Sequence, residues 1–73
     1  PTTTIDYALP RAEQVTIELF NVMGQKVRTL VNARLSAGQY RVEVDGSSLN
    51  SGIYFYRIQA GEYSVMKKMM LMK

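Results

Sequence analysis

Apolar and polar residues alternate along most of the chain with a period of two. In the first run, Ile5, Tyr7 and Leu9 share one side, with Thr4, Asp6 and Ala8 on the other. In the second, Val15, Ile17 and Leu19 oppose Thr16, Glu18 and Phe20. Further on, Tyr40, Val42 and Val44 oppose Arg41, Glu43 and Asp45. Successive side chains of a strand point to opposite faces, so each run predicts a half-buried strand. Two runs break the rule. Between Lys26 and Val31, the residues Val27, Leu30 and Val31 cannot share one face of a flat strand, which predicts an edge position or a bulge. From Ile53 to Gln59 the chain is apolar at nearly every position before Arg57. Placing Tyr54, Tyr56 and Ile58 inward leaves Arg57 and Gln59 outside, and then Ile53 and Phe55 need cover from a loop or a partner.

Turn residues separate these runs at short, even spacing: Pro10-Arg11-Ala12-Glu13, Asn21 to Gly24, Ser36-Ala37-Gly38, Asp45-Gly46-Ser47-Ser48, Asn50-Ser51-Gly52 and Ala60-Gly61. Short strands with regular turns predict an all-β sandwich or barrel. The closing segment, Val65 to Lys73, is rich in Met, Leu and Lys and has the propensity of a helix. Two turns of isolated helix are marginal in water. Sequence neighbours usually pair, so the segment is assigned as an antiparallel strand against Ile53–Gln59 across the Ala60-Gly61 turn.

With 73 residues the chain holds one domain. A domain of this size buries only about 60% of its unfolded surface and has a stability of roughly 3–5 kcal/mol. Its hydrophobic content of 47% is that of a globular protein, and the run Met69–Met72 is far too short to cross a membrane as a helix. No amino-terminal signal peptide is visible. The start on Pro1-Thr2-Thr3-Thr4 reads as a piece of a longer protein. The formal charge is +3, from nine basic and six acidic residues, with the basic residues scattered apart from Lys67-Lys68. Scattered lysines argue for solubility and against a nucleic-acid partner.

Candidate chemistry is sparse. Without cysteine or histidine there is no disulfide, no thiolate metal site and no imidazole base. Glu18 and Glu43 lie on outward strand faces as potential cross-strand neighbours, but pairing with Arg41 or Arg57 on a solvated face explains them better than a glycosidase pair. Ser64 has only Lys67 or Lys68 as a local base, and strand geometry disfavours the pairing. Asp45 is the sole carboxylate in the Asp45–Gly52 stretch, too few for calcium, and turn chemistry accounts for it. No catalytic residue, metal site or cofactor is assigned. Five tyrosines raise the alternative of a sugar-binding platform. Tyr7, Tyr40, Tyr54 and Tyr56 fall on core faces, however, and Tyr54, just after Gly52, has the position of a tyrosine anchoring a sandwich corner. Phe20 and Tyr63 remain as candidate exposed aromatics.

Several stretches read together carry a family resemblance: Pro1–Pro10, Leu19-Phe20-Asn21-Val22-Met23-Gly24-Gln25-Lys26-Val27, Ser36-Ala37-Gly38-Gln39-Tyr40, Leu49-Asn50-Ser51-Gly52-Ile53-Tyr54-Phe55-Tyr56-Arg57-Ile58, and the close on Lys67-Lys68-Met69-Met70-Leu71. In this order the set resembles the type A carboxyl-terminal sorting domain of the type IX (Por) secretion system, over essentially the whole chain. The resemblance implies a small immunoglobulin-like antiparallel β-sandwich of six to seven strands; six runs are clear, and a seventh strand either comes from the Ala33–Gly38 region or is missing. It implies a sorting domain at the end of a larger secreted cargo protein. It further implies that the cargo reaches the periplasm by a separate signal, is passed through the outer-membrane translocon to the surface or medium, and, as is usual in the family, loses the domain to a sortase. It also implies recognition residues: Gly52 and Tyr54 from the glycine-tyrosine element, and Lys67, Lys68, Met69, Met70 and Leu71, extended here to Lys73, from the terminal strand.

The mechanism this suggests is β-augmentation on an edge strand, with the lysines supplying charge and the methionines an adaptable surface. The same edge allows self-association. Core packing is expected for at least half of Met66, Met69, Met70 and Met72, and deletion of Met69–Lys73 is expected to strand the cargo in the periplasm. The alternative functions are an accessory carbohydrate-binding module or a structural spacer on a secreted enzyme.

Overall fold

The computed structural model describes residues 2–72. Six strands follow one another: β1 (Thr2–Leu9), β2 (Glu13–Phe20), β3 (Lys26–Leu35), β4 (Gly38–Asp45), β5 (Gly52–Ala60) and β6 (Tyr63–Leu71). They form two antiparallel sheets, β1-β4 and β3-β2-β5-β6. The protein is therefore a small all-β sandwich. No separate seventh strand occurs among the described residues, because Ala33–Leu35 extends β3 instead, pairing with Glu13–Val15.

The alternating runs bury the faces they predict. Ile5 and Leu9 of β1, Val15, Ile17 and Leu19 of β2, Val44 of β4, Tyr54, Ile58 and Ala60 of β5, and Met69 and Leu71 of β6 make the core. Tyr7, Tyr40, Val42, Tyr56 and Val65 pack half-buried around it. Val15, Ile17, Leu19 and Val44 are 0% exposed, so the centre lies where β2 meets the overlying β1-β4 pair.

β3 is both an edge strand and a bulged one. Ile17 faces Val31 and Glu18 faces Thr29, so Leu30 is an extra residue; Leu19 faces Arg28 and Phe20 faces Lys26, so Val27 is another. Each bulge resets the alternation, which lets Leu30 and Val31 both touch the core despite being neighbours. Arg28 ties this edge to the other sheet, donating to the Asp45 carbonyl at 2.7 Å and to Ser48 Oγ at 3.0 Å.

The candidate recognition strand and its supports

β6 pairs with β5 along its whole length and ends the four-stranded sheet, so its other edge is unpaired among the described residues. The hairpin joining them turns on Gly61-Glu62, with Ala60 facing Tyr63. Gly61 has φ +59°, the left-handed value that a two-residue hairpin demands at its first corner.

Strand parity divides the terminal segment. Val65, Met69 and Leu71 turn inward and Met66, Lys68 and Met70 outward. Lys67 shares the inward parity. It is nonetheless exposed, and it lines a groove of about 590 Å³ with Tyr7, Leu9, Ile58 and Val65. The Lys67-Lys68 pair is thus split between two surfaces. Of the four methionines expected to be at least half in the core, only Met69 is buried; Met66, Met70 and Met72 are 54%, 60% and 74% exposed. The physical reason is that, among the described residues, no layer covers the outer face of the four-stranded sheet. Lys73 lies outside the described residues.

The glycine-tyrosine element and the terminal strand meet in space. Gly52 is opposite Leu71 and Tyr54 is opposite Met69. Tyr54, buried, sends its hydroxyl to the Asn50 carbonyl at 2.7 Å. Gly52 has φ +146°, a backbone state almost confined to glycine. Gly46, by sequence a turn former, adds to this support. Gly46 is buried, and a Cβ built on it would stand 2.5 Å from the Leu71 side chain. The bend after β4 therefore seats the end of β6. No local sequence signal marks this, since the two residues are far apart in the chain.

The remaining candidates fall elsewhere. Glu18 and Glu43 are not cross-strand neighbours: Glu18 is on β2 and Glu43 on β4, in different sheets. Glu18 binds Arg57 at 2.6 Å and Lys26 at 3.3 Å, and the Arg57 hydrogen bond is the main cause of its lowered pKa. Arg41 pairs with Asp6 at 2.8 Å. Asp45 accepts the backbone N–H of Ser47 at 3.0 Å, closing a turn and lowering its own pKa. Ser64 and Lys68 share the outward face and Lys67 does not. Tyr7 stacks on Tyr40 with centroids 5.5 Å apart, and burial raises the Tyr7 pKa. Tyr63 is exposed at 63%, whereas Phe20 is half-buried beneath the Arg57 guanidinium, 5.4 Å from its ring centroid. Among the described residues no three acidic groups converge as a metal site would need.

The chain matches the family model for the secretion system C-terminal sorting domain over residues 2–72. It belongs to that family. No curated protein and no solved structure gave a match. Domains of this family are C-terminal sorting signals of type IX secretion cargo proteins, and the family is not catalytic. Membership connects the sorting domain with the type IX machinery and with a larger cargo chain that is secreted or held at the outer-membrane surface.

Proposed function

We propose that β6 is the element by which the type IX outer-membrane translocon reads this sorting domain. The observation that carries the reading is the position of β6: it ends the four-stranded sheet with one edge unpaired among the described residues. Such an edge offers N–H and C=O groups to a strand of a partner. Lys68 and Met70 project from the same strand as charged and adaptable contacts, while Met69, Leu71, Gly52 and Tyr54 hold it in place. In this reading residues 1–73 are one non-enzymatic domain closing a larger cargo chain. The cargo arrives through the periplasm, and a sortase removes the domain at the surface. A sugar platform has less support, because Phe20 is covered by Arg57 and, among the described residues, the stacked aromatic pair is Tyr7 with Tyr40 and does not include Tyr63.

The test uses the domain at the end of its cargo in a bacterium carrying the type IX system. Deleting Met69–Lys73 removes two core residues and mixes misfolding with lost recognition. Lys68→Glu combined with Met70→Asp changes exposed side chains alone. The expected result is a folded domain whose cargo accumulates in the periplasm. Normal export by that variant sinks the assignment to the terminal strand.

A further inference from the structure

One end of the four-stranded sheet gathers most of the exposed apolar side chains. The turn between β2 and β3 carries Val22 and Met23 at its tip, 65% and 79% exposed. The turn itself is tightly held. Asn21 Oδ1 accepts the backbone N–H of Met23 at 2.9 Å and of Gln25 at 3.0 Å, and Asn21 and Gln25 also bond through backbone and side chain. Turn corners favour Gly, Pro, Asn, Asp and Ser, so nothing in the turn itself calls for two large apolar residues there. Beside it lie Phe20, Phe55, Ile53 and Met70, where Phe20 faces Phe55 and Ile53 faces Met70 across adjacent strands.

Charge is concentrated on the same surface. The outer face of this sheet bears Lys26, Arg34, Arg57 and Lys68 against one carboxylate, Glu18. Taking those four from the nine basic residues leaves five, and taking Glu18 from the six acidic leaves five, so the rest of the sequence balances and this face carries the net +3. Across the strands one row reads Lys26, Phe20, Phe55, Lys68. Neighbouring strands are about 4.8 Å apart, so two lysines flank an aromatic pair over roughly 14 Å.

We propose that this end of the sheet docks on an anionic lipid surface, with Val22, Met23 and Met70 entering the acyl boundary and Lys26 and Lys68 reaching the headgroups. Interfacial binding of this kind adds buried apolar area to attraction for anionic lipid. Lysine suits it, since the stem lies along apolar surface while the ammonium stays in the polar layer. A second copy is a poor occupant, because two faces of +3 repel each other. A protein partner is less favoured, because protein interfaces enrich arginine and deplete lysine. Lys68 and Met70 also serve the proposed translocon reading, whereas Val22, Met23 and Lys26 lie outside β6, so Met23→Ser with Lys26→Gln, which leaves β6 untouched, tests this docking apart from that recognition.

Sedimentation with lipid vesicles tests it. The protein is expected to pellet with vesicles of mixed phosphatidylcholine and phosphatidylglycerol, to stay in solution with phosphatidylcholine alone, and to be released by high salt. Lys26→Gln with Lys68→Gln should weaken partitioning by about fivefold for each lysine removed. Met23→Ser with Met70→Ser should weaken it without changing the salt dependence. All four side chains are exposed, and an unchanged melting curve shows that the fold is kept. No sedimentation with the mixed vesicles overturns the proposal and favours an acidic protein surface as the occupant. Binding that ignores salt or both double substitutions overturns it as well.

Discussion

The Tyr54 hydroxyl donates to the backbone carbonyl of Asn50, four residues upstream, at 2.7 Å. Tyr40 does the same to Ser36 at 2.6 Å. In both cases a glycine with φ near +150° sits between donor and acceptor: Gly52 at +146° and Gly38 at +150°. One device thus starts two strands, β4 and β5. At β5 it also seats the strand against which the terminal strand pairs.

Removing only the Tyr54 hydroxyl should cost about 1 kcal/mol, because the bond is partly buried and its acceptor loses a partner. For a domain of this size that is a fall of roughly 4–8 °C in melting temperature. Tyr54→Phe followed by thermal or urea unfolding measures it. Tyr40→Phe, whose hydroxyl lies in an exposed setting, should cost less. Equal losses contradict this ranking.

Neighbouring residues of β6 should behave oppositely. Leu71 is 2% exposed, and its truncation to alanine should cost about 2–5 kcal/mol. Against a total of roughly 3–5 kcal/mol, that leaves Leu71→Ala largely unfolded. Met70 is 60% exposed, and Met70→Ala should stay within about 0.5 kcal/mol of the parent. Circular dichroism during urea titration separates the two.

Gly46→Ala should destabilise by about 1–3 kcal/mol through overpacking, since Leu71 is enclosed and has little room to move away. Leu71→Val frees part of that space. The two substitutions together should then cost less than the sum of their separate effects. Strict additivity would show that the bend and the terminal strand are not in contact.

Acid should weaken the fold partly through Glu18. Its pKa is held below the ordinary 4.5 by the Arg57 hydrogen bond first and by Lys26 after it. A carboxylate with a depressed folded-state pKa stabilises above its unfolded pKa and loses that contribution as pH falls through the folded value. Asp45, lowered by the Ser47 N–H, acts with the same sign. Stability should therefore decline as pH drops below 4.5. Glu18→Gln should flatten the decline when urea midpoints are compared across that range. An unchanged slope would assign the acid sensitivity to other carboxylates.

The strands of this protein are legible in its sequence because alternation is a local property. Ile5-Tyr7-Leu9, Val15-Ile17-Leu19 and Tyr40-Val42-Val44 each announce a buried face, and the three apolar residues of Lys26–Val31 announce a bulge. The strand nature of Val65–Leu71 followed from its short length and from its neighbour, although its composition favoured a helix. The order of the motifs along the chain carries the family.

Which side chains of the terminal strand face the core was not legible in the same way. Met66, Met69, Met70 and Met72 are chemically alike, and only the register against β5 turns Met69 inward and leaves the others exposed. Likewise, Lys67 and Lys68 look like a pair in the sequence and are separated by the pleat. Apolar character says that a residue gains by burial, but burial needs a covering layer. The β1-β4 sheet lies over one face of the four-stranded sheet, and among the described residues no layer lies over the other. Local alternation therefore set the strands and their inward faces. Long-range contacts, such as Leu71 on Gly46 and Arg28 on Asp45, decided where the layers meet and which apolar residues stay in solvent.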